Sequence, residues 1–436
     1  MTTAPQPTGE PAAATLTNWA GNLAFGAARL HRPRTLDELR RLVADAPGRV
    51  RALGCGHSFS TVADTDGDLV RLDALGADPD AITVDEDART ATVPAGMRYA
   101  EAAAALDARG WALHNLASLT HITVAGAVAT GTHGSGSGVP SLAAAVVGLE
   151  LLTADGALRT LTREADPEVF PGAVVSLGAL GIATRITLRI EPAYRVAQWV
   201  YTDVALDAVA ADFAAAFELA DSVSVFTRWD DGRAKLWLKQ RLGAGASGPA
   251  SSLLGGSLAT ENVHPIPGTP AERIADTTPQ CGVPGPWHRR LPHFLPEGTP
   301  SVGAEIQSEW LLPREEAVRG MAALRALGDR IAAVAQVSEI RTVAADDLWL
   351  SGAYGRDTVA FHFTWVRDEA AILPVVGAID EALAPLGARP HWGKVSTLAG
   401  RQVREAYPRF ADFAALREEL DPSGTFRNAY LDALLG

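Results

Sequence analysis

A chain of 436 residues is longer than one hydrophobic core usually supports, so its length predicts two domains. Its 47% of apolar and 20% of charged residues are typical of a globular protein and argue against disorder. The net charge of −13, with no Lys/Arg-rich block, argues against a nucleic-acid partner, because binding phosphates requires clustered cations.

The N-terminal region is rich in Pro, Ala and Thr, and we expect residues 1–15 to form a flexible leader. It has neither the basic start nor the apolar stretch of a signal peptide, and no later apolar window approaches the length of a membrane span. With only Cys55 and Cys281, no disulfide framework or cysteine-rich metal site is expected. These features predict a cytoplasmic protein that does not bind a membrane.

The first half of the chain alternates between short strands and helices. The predicted helices are 33–45 and 99–109, and the predicted strands are 49–53, 69–72, 82–85, 90–93 and 182–190. Thr35 is the expected N-cap of the first helix, because it precedes an acidic first turn. Residues 146–162 predict a hairpin that turns at Asp155-Gly156. The apolar face of strand 182–190 would close the sheet, so the first domain is expected to end near residue 193.

The second half changes character. The predicted strands are 199–204, 301–312, 334–343 and 359–366, and the predicted helices are 205–219, 314–327 and 369–386. Between them, residues 242–300 are rich in Gly, Ser and Pro and show no periodic pattern. A structureless segment of this length is unusual in a compact domain, so we expect a lid or a subunit contact there.

The motif Gly54-Cys55-Gly56-His57-Ser58-Phe59-Ser60 follows the strand 49–53 directly. Its small residues expose backbone N–H groups, which suits the diphosphate of a large cofactor and favours a flavin enzyme. In that interpretation the His57 imidazole is alkylated by the flavin's methyl carbon. A glycine-flanked histidine that caps a turn is the alternative. Cys55 is interpreted as a small packed residue rather than a second tether or a redox thiol.

A second glycine-rich run spans residues 118–138 and matches neither GxGxxG nor a P-loop. Its apolar segment 124–128 alternates with glycines, which indicates a packed loop rather than a flexible surface loop. Packed glycines beside threonines suit close approach of the backbone to a ligand. His121 and His133 have no acidic or cysteine neighbours at ligand spacing, so we do not expect a metal site.

Polar pairs interrupt the apolar strands of the second half. Glu339 and Arg341 are two residues apart and so share one face of a strand, and His362 and Thr364 do the same on another. Lys394 follows in the run HWGK. A salt pair on a solvated face is the common alternative for any one such pair. Several pairs in strands as apolar as FHFTW favour a binding or catalytic site.

Together these motifs resemble those of the vanillyl-alcohol-oxidase-type FAD flavoproteins and, within them, the alditol oxidases. The resemblance covers nearly the whole chain, through GCGHSFS, ASLTHITVAGAVATGTHGSG, GALGIATRITLRI, EIR, FHFTW, HWGKV and DPSGTFRNAYL. It implies an α+β, two-domain FAD-binding fold of the VAO/PCMH type. The FAD-binding domain would span 16–193 and a cap domain of antiparallel sheet and helices 194–390. Residues 391–436 would return to the FAD-binding domain.

The resemblance also implies the site residues, with FAD attached covalently through His57. The residues expected to hold FAD are Leu53, Gly54, Cys55, Gly56, His57, Ser58, Ser118, Thr123, Gly126, Thr130, Gly131, Thr132, His133 and, on the adenine side, Ile182. The residues expected to bind a polyol are Ser118, Glu339, Arg341, Thr364 and Lys394. Catalysis is assigned to Arg341, Lys394, Glu339 and His362.

The implied activity is oxidation of the terminal primary alcohol of an alditol such as xylitol or sorbitol to the aldose, with O2 reduced to H2O2 by a monomeric enzyme. A polyol offers only hydroxyls, so its site needs several directional donors and acceptors. Arg341 and Lys394 would stabilise the charge that develops on the alcohol oxygen. One alternative is a sugar-1,4-lactone oxidase or dehydrogenase, which resembles this chain but carries alanine in place of Gly393. The other is a flavin- or sugar-binding protein without catalysis.

Overall fold

Four β-sheets and thirteen α-helices form the part of the chain that this computed structural model describes, which is residues 10–11, 16–76, 81–243, 249–298 and 304–435. The strands are β1 (Glu10–Pro11), β2 (Arg29–His31), β3 (Val50–Leu53), β4 (Asp68–Arg71), β5 (Thr83–Asp85), β6 (Thr90–Pro94), β7 (Trp111–Ala112), β8 (Val146–Leu152), β9 (Leu158–Thr162), β10 (Ile182–Arg189), β11 (Glu191–Pro192), β12 (Arg195–Ala205), β13 (Ser222–Thr227), β14 (Arg233–Arg241), β15 (Ser252–Leu253), β16 (Gly256–Leu258), β17 (Gly285–Pro286), β18 (Glu305–Pro313), β19 (Ala335–Val343), β20 (Thr358–Val366) and β21 (Arg389–Pro390).

The helices are α1 (Leu36–Ala44), α2 (Tyr99–Asp107), α3 (Val124–Ala129), α4 (Phe170–Val174), α5 (Leu206–Ala211), α6 (Phe213–Phe217), α7 (Ala271–Ile274), α8 (Ala317–Ala326), α9 (Gly328–Ala332), α10 (Glu369–Leu383), α11 (Gly400–Ala406), α12 (Phe410–Leu420) and α13 (Ala429–Leu435). Short 3-10 helices lie at Thr61–Ala63, Leu142–Ala145, Trp287–Arg289, Arg314–Glu316 and Ala384–Leu386. No helix in the described ranges is both long and apolar enough to cross a membrane.

The N-terminal half forms two larger sheets and one small one. A four-stranded sheet has the order β1-β2-β4-β3, in which β2, β4 and β3 run parallel. A five-stranded antiparallel sheet has the order β5-β6-β10-β8-β9, and β7 pairs with β11. Along β10 buried and half-buried residues alternate, as a strand with one face on the core requires. The predicted hairpin is confirmed as β8 and β9, and Thr35 caps α1 by accepting the N–H of Glu38.

The largest sheet has ten strands and contains most of the second half of the chain. Its order is β15-β16-β12-β14-β13-β19-β20-β18-β21, with β17 also paired to β12, and every pairing is antiparallel. Helices α8 and α10 pack against it. The α+β class predicted from the sequence is confirmed.

Three predicted elements differ from the structure. The helix expected over 205–219 is two helices, because Asp212 leaves the helical conformation and caps α6 by accepting the N–H of Ala215. The glycine-rich run 118–138 is not a loop throughout, since α3 lies within it. The segment 242–300 is not structureless in its described residues: it contributes β15, β16 and β17 to the edge of the ten-stranded sheet, and α7.

Apolar side chains gather in two main cores. One combines residues between 39 and 196 with residues from 287–291, 348–350 and 392–434, and the other combines residues between 201 and 388 with Ala20 and Phe59. The end of the chain therefore packs on its beginning. Of the predicted leader, only Glu10–Pro11 is described, and it pairs with β2; the rest of 1–15 lies outside the described residues.

Arg51 joins distant parts of the first core. Its buried guanidinium donates hydrogen bonds to the carbonyls of Val62, Leu177, Gly178 and Phe426 at 2.5–2.9 Å. Each of these bonds offsets part of the cost of burying the cation, so the carbonyls hold the three chain regions together. Arg51 lies three residues before the first glycine of the glycine-histidine motif and lines the same cavity as that motif.

Candidate active site

A row of side chains crosses four neighbouring strands of the ten-stranded sheet. Phe226 of β13 is paired with Glu339 of β19, Glu339 with His362 of β20, and His362 with Glu309 of β18. Residues directly opposite each other on adjacent strands share one face of the sheet. All of them line one large cavity, together with Arg341, Thr364 and Lys394 and with the glycine-histidine motif from the first core.

Glu309 binds two cationic side chains of this cavity, Arg341 and Lys394. Its Oε1 accepts a hydrogen bond from Arg341 Nη2 at 2.5 Å, and its Oε2 accepts one from Lys394 Nζ at 2.7 Å. His133 Nε2 lies 3.4 Å from Oε1. Glu339 faces Arg341 from the other side, with Oε2 3.7 Å from Nε. The Glu339–Arg341 pair predicted on one strand face is thus buried and belongs to a larger network rather than to a solvated surface.

The network fixes the charges of its members. Burial opposes ionisation of Glu309, but Arg341, Lys394 and His133 outweigh burial and hold the pKa of its carboxyl well below the usual range. Burial also opposes ionisation of Glu339, where Arg341 and His293 likewise lower the pKa. Burial lowers the pKa of the Lys394 ammonium, and Glu309 opposes that change. Glu309 is therefore the counter-ion that lets two cations persist in a buried site.

His362 links Lys394 to Thr364. An ammonium group cannot accept a hydrogen bond, so Lys394 donates to His362 Nδ1 at 2.7 Å. That leaves the proton of the neutral ring on Nε2, which donates to the Thr364 hydroxyl at 3.3 Å. Burial and the nearby Lys394 hold the pKa of His362 well below its usual range, so the ring is uncharged.

His57, which lines the same cavity, lies in an aromatic pocket. Its ring centroid is 4.5 Å from that of Trp19 and 5.6 Å from that of Phe59, and its Nδ1 is 3.1 Å from His121 Nε2. Burial, with His121 and Lys394, holds the pKa of His57 well below its usual range. Its Nε2 is buried and has no protein hydrogen-bond partner among the described residues. A neutral imidazole with an unpartnered buried nitrogen in the cavity wall suits attachment to a cofactor.

The two glycine-rich segments meet at Gly54. A Cβ at this position would lie 2.3 Å from Thr123 Oγ1, so only glycine permits the contact. Gly56 adopts a φ of 73°, which favours glycine and turns the chain toward His57. Thr123 in turn caps α3 by accepting the N–H of Gly126 at 3.3 Å. These contacts bring the backbone of both segments to the wall of the cavity, where they would hold the diphosphate of a dinucleotide cofactor.

The cavity gathers nearly every residue that the sequence nominated. Those that line it are Leu53, Gly54, Cys55, Gly56, His57, Ser58, Ser118, Thr123, Gly126, Thr130, Thr132, His133, Glu339, Arg341, His362, Thr364 and Lys394. Gly131 and Ile182 do not line it. Gly131 forms the turn after α3 with a φ of 69°, and the Ile182 side chain packs in the core while its neighbours Gly181 and Ala183 reach the cavity. Burial raises the pKa of the Cys55 thiol, which suits a packed residue.

Sequence reasoning missed several residues of this site. Glu309 has a visible signal, because Glu305, Gln307 and Glu309 stand at every second position of β18, and all three line the cavity. His293 also lines the cavity and bonds to Glu339, but it lies in the Gly/Pro-rich segment without a motif. Lys239 lies behind His293 on β14. Within the described ranges, no group of metal-ligating side chains is close enough to hold a metal ion.

Comparison with known proteins gives two family matches and several full-length relatives. Residues 27–162 match the FAD binding domain family, and residues 304–434 match the D-arabinono-1,4-lactone oxidase family. The chain is 50% identical to the alditol oxidase of a Streptomyces species, over 96% of this chain and 99% of that protein. It is 25% identical to the L-gulonolactone oxidase of Bos taurus, over 95% and 97% of the two chains. The fold is similar to that of cholesterol oxidase from B. sterolicum, with a TM-score of 0.77 and 15% identity over the whole of both chains.

Proposed function

This chain belongs to the alditol oxidase family, and from that membership we infer that it is an FAD-dependent enzyme that oxidises alditols with O2 as the electron acceptor. The resemblance and the FAD-binding fold expected from the sequence are confirmed by the same relatives and by the fold similarity. We propose further that the reacting group is the terminal primary alcohol, that the products are the aldose and H2O2, and that FAD is attached through His57.

The observation that carries this proposal is the convergence of the Glu309 network and His57 on one cavity. A polyol has no charge, so a site that selects it must offer donors and acceptors aimed at several hydroxyls. Glu339 accepts, Arg341 and Lys394 donate, and Ser118 and Thr364 do both. Several such groups are buried in a cavity that also reaches the glycine-rich segments.

FAD, when bound, would accept a hydride from the alcohol carbon while the hydroxyl gives up its proton, and the two electrons and two protons would reduce O2 to H2O2. The protein residues orient the alcohol and stabilise its transition state. We assign Arg341 and Lys394 the role of stabilising the negative charge that develops on the alcohol oxygen, because both are cations held in a buried site. Glu309 keeps them charged, and His362 holds the Lys394 ammonium by accepting its hydrogen bond. Glu339 accepts hydrogen bonds from substrate hydroxyls and so fixes which carbon faces the flavin.

Covalent attachment through His57 is supported by three properties of that residue. It is uncharged because its pKa is lowered, its Nε2 has no hydrogen-bond partner among the described residues, and it lines the cavity beside the glycine-rich segments. A neutral imidazole nitrogen is the nucleophile that such a bond requires. His121 Nε2, 3.1 Å from Nδ1, holds the ring in place.

A sugar-1,4-lactone oxidase or dehydrogenase is the second candidate, because residues 304–434 match the D-arabinono-1,4-lactone oxidase family. The feature that favours alditols is Gly393. A Cβ there would lie 3.2 Å from Ser58 Oγ and 3.5 Å from His391 Cε1, so an alanine would narrow the cavity beside the motif that carries His57.

The deciding experiment is peroxide release from the purified protein given xylitol, sorbitol, glycerol and a sugar lactone in parallel. Peroxide with the polyols and little with the lactone is expected. Peroxide with the lactone alone would move the enzyme to the second candidate. Turnover with an artificial electron acceptor but no peroxide would indicate a dehydrogenase. A protein that contains flavin but shows no turnover with any of these substrates and acceptors would indicate a binding protein.

Three further expectations from the sequence stay predictions. They are the monomeric state, the cytoplasmic location and the division into domains at residues 193 and 390.

A further inference from the structure

Lys239 is a buried lysine that the proposed reaction does not use. It lies on β14, is 2% exposed, and donates hydrogen bonds to the backbone carbonyls of Leu291 and Pro292, the second at 2.9 Å. Its Nζ also lies 3.1 Å from Nδ1 of His293. Burying an ammonium group is unfavourable unless all its protons are bonded, and these three partners satisfy it.

Lys239 and Glu339 together determine which nitrogen of His293 carries the proton. An ammonium group donates only, so Nδ1 of His293 accepts and the proton of the neutral ring resides on Nε2. Nε2 lies 2.8 Å from Glu339 Oε1 and therefore donates to it. The rings of Phe226 and Trp237 pack edge-on against His293 with centroids 5.3 and 5.1 Å away, which leaves the imidazole a single orientation.

The same histidine also fixes Ser118. Its backbone N–H donates to the Ser118 carbonyl at 3.1 Å, and the carbonyl lies 3.4 Å from the N–H of Phe294. Ser118 and Glu339 come from different cores of the molecule, and both are proposed to bind the substrate. His293 thus connects the two sides of the substrate pocket through its backbone and its side chain.

We propose that Lys239 and His293 are positioning residues, which hold Glu339 with Oε1 occupied and Oε2 presented to a substrate hydroxyl and which set the distance between Glu339 and Ser118. This inference rests on the proposed function for the identity of the substrate. It also gives the segment 249–298 a role, because this segment supplies His293 as a wall of the substrate pocket.

The first test is the tautomer of His293, measured by nitrogen-15 NMR of the histidine-labelled holoenzyme at about pH 6. Burial lowers the pKa of Lys239 to about 7, and burial together with Lys239 lowers that of His293 to about 4, so the lysine is charged and the ring neutral at this pH. The signal is assigned by its loss in His293→Gln. We expect a protonated Nε2 and an accepting Nδ1, and a proton on Nδ1 would overturn the proposal.

Lys239→Met should leave the proton on Nε2, which still donates to Glu339, but should raise the pKa of His293, because the ammonium group that lowers it is gone. Lys235→Met is the matched control, because Lys235 lies on the same strand and donates to the backbone carbonyls of His264 and Pro265 but not to a histidine ring. It should leave the His293 signal unchanged. A Lys239→Met protein in which His293 titrates as in the wild type would remove Lys239 from the proposal.

The second test separates positioning from general structural support. His293→Leu should raise the KM for xylitol by about tenfold or more, with a smaller effect on kcat and full flavin content, since a hydrogen bond to a carboxylate is lost. His293→Gln, whose amide donates from nearly the same place as Nε2, should recover much of this loss. Equal KM values for wild type and the Leu variant would overturn the proposal.

The two tests also distinguish failure of this inference from failure of the proposed function. A wild-type enzyme that oxidises no alditol while His293 shows the expected tautomer would overturn the function alone. An enzyme that turns over xylitol with the proton on Nδ1 would overturn the inference alone. If His293→Leu fails to fold, the Lys239→Met protein supplies both the titration of His293 and the KM.

Discussion

Oε2 of Glu309 lies 2.7 Å from Nζ of Lys394, and the carboxylate belongs to a strand in which every residue before the final proline is buried. The same carboxylate bonds to Arg341, so one buried negative charge serves two cations. Removing it leaves both cations without their shared counter-ion. This relationship makes Glu309 as important for the site as the residues that touch substrate.

Glu309→Gln is therefore expected to destabilise the folded protein by about 3–5 kcal/mol, the usual cost of removing one partner of a buried ion pair. The pKa of Lys394 should fall further without this carboxylate, so the alkaline limb of the activity profile should move to lower pH. Denaturant unfolding and kcat/KM against pH measure the two effects. Glu405→Gln, which removes an exposed carboxylate paired with Arg401, is the control and should change neither.

Lys394→Met should retain flavin and lose roughly a hundredfold or more in kcat/KM for xylitol, because a cation beside the developing oxygen charge is removed. The rate of flavin reduction under anaerobic conditions measures this loss without the oxygen step. Arg401→Met removes one exposed positive charge far from the cavity and serves as the control. Normal reduction by the Lys394 variant would exclude this lysine from the reaction.

His57→Ala should release its flavin when the protein is precipitated with acid, whereas the wild-type pellet should remain yellow. Cys55→Ser is the matched control, because Cys55 is the neighbouring nucleophile and its thiol is held protonated by burial. We expect its pellet to remain yellow. The opposite pattern, with release from the serine variant only, would assign the tether to the cysteine.

Gly54→Ala should lower flavin content and destabilise the protein by about 1–3 kcal/mol, since the added Cβ would lie 2.3 Å from the Thr123 hydroxyl and push the two glycine-rich segments apart. Gly138→Ala, in the second of these segments, is the control. A Cβ there meets nothing within 4 Å. Flavin absorbance per protein and the unfolding midpoint compare the pair.

Stability should decline as the pH falls below about 6.5, the pKa of an exposed histidine. Burial and nearby cations lower the pKa of His293 to about 4 and that of His391 to about 3, so the unfolded chain binds protons that the folded one excludes. Each such group contributes a slope of about 1.4 kcal/mol per pH unit between its two pKa values.

Unfolding free energies measured at several pH values between about 7.5 and about 5 give this slope. The whole range lies above the folded-state pKa values of both histidines. His391→Asn should reduce the slope by the contribution of one proton, about 1.4 kcal/mol per pH unit. The amide oxygen can still accept the N–H of Gly393, but the asparagine does not titrate. A slope that does not change in this variant would contradict the assignment.

The residues that bear recognisable motifs were predictable from the sequence, and those that act through three-dimensional neighbours were not. His57, Glu339 and Lys394 stand in short, characteristic runs, so resemblance identified them. Glu309 bears no motif, although Glu305, Gln307 and Glu309 stand at every second position of β18 and therefore share one strand face. His293 lies in a segment without periodicity, and only folding brings it to within 2.8 Å of Glu339.

The same division applies to the fold. Strands with clear alternation, such as β10, were predicted nearly to the residue. The predicted elements omitted β13 and β14, although Ser222–Thr227 alternates polar and apolar residues. The broken helix at Asp212 was missed because its cap lies inside an otherwise continuous alanine-rich pattern.

Arg51 sets an order for the assembly of the protein during its synthesis. Its guanidinium bonds to the carbonyl of Phe426, which lies 375 residues further along the chain, as well as to carbonyls near residues 62 and 177. A nascent chain that has emerged only as far as the glycine-histidine motif therefore lacks part of the scaffold under that motif. The pocket around His57 therefore gains this part of its scaffold only after residue 426 has been synthesised.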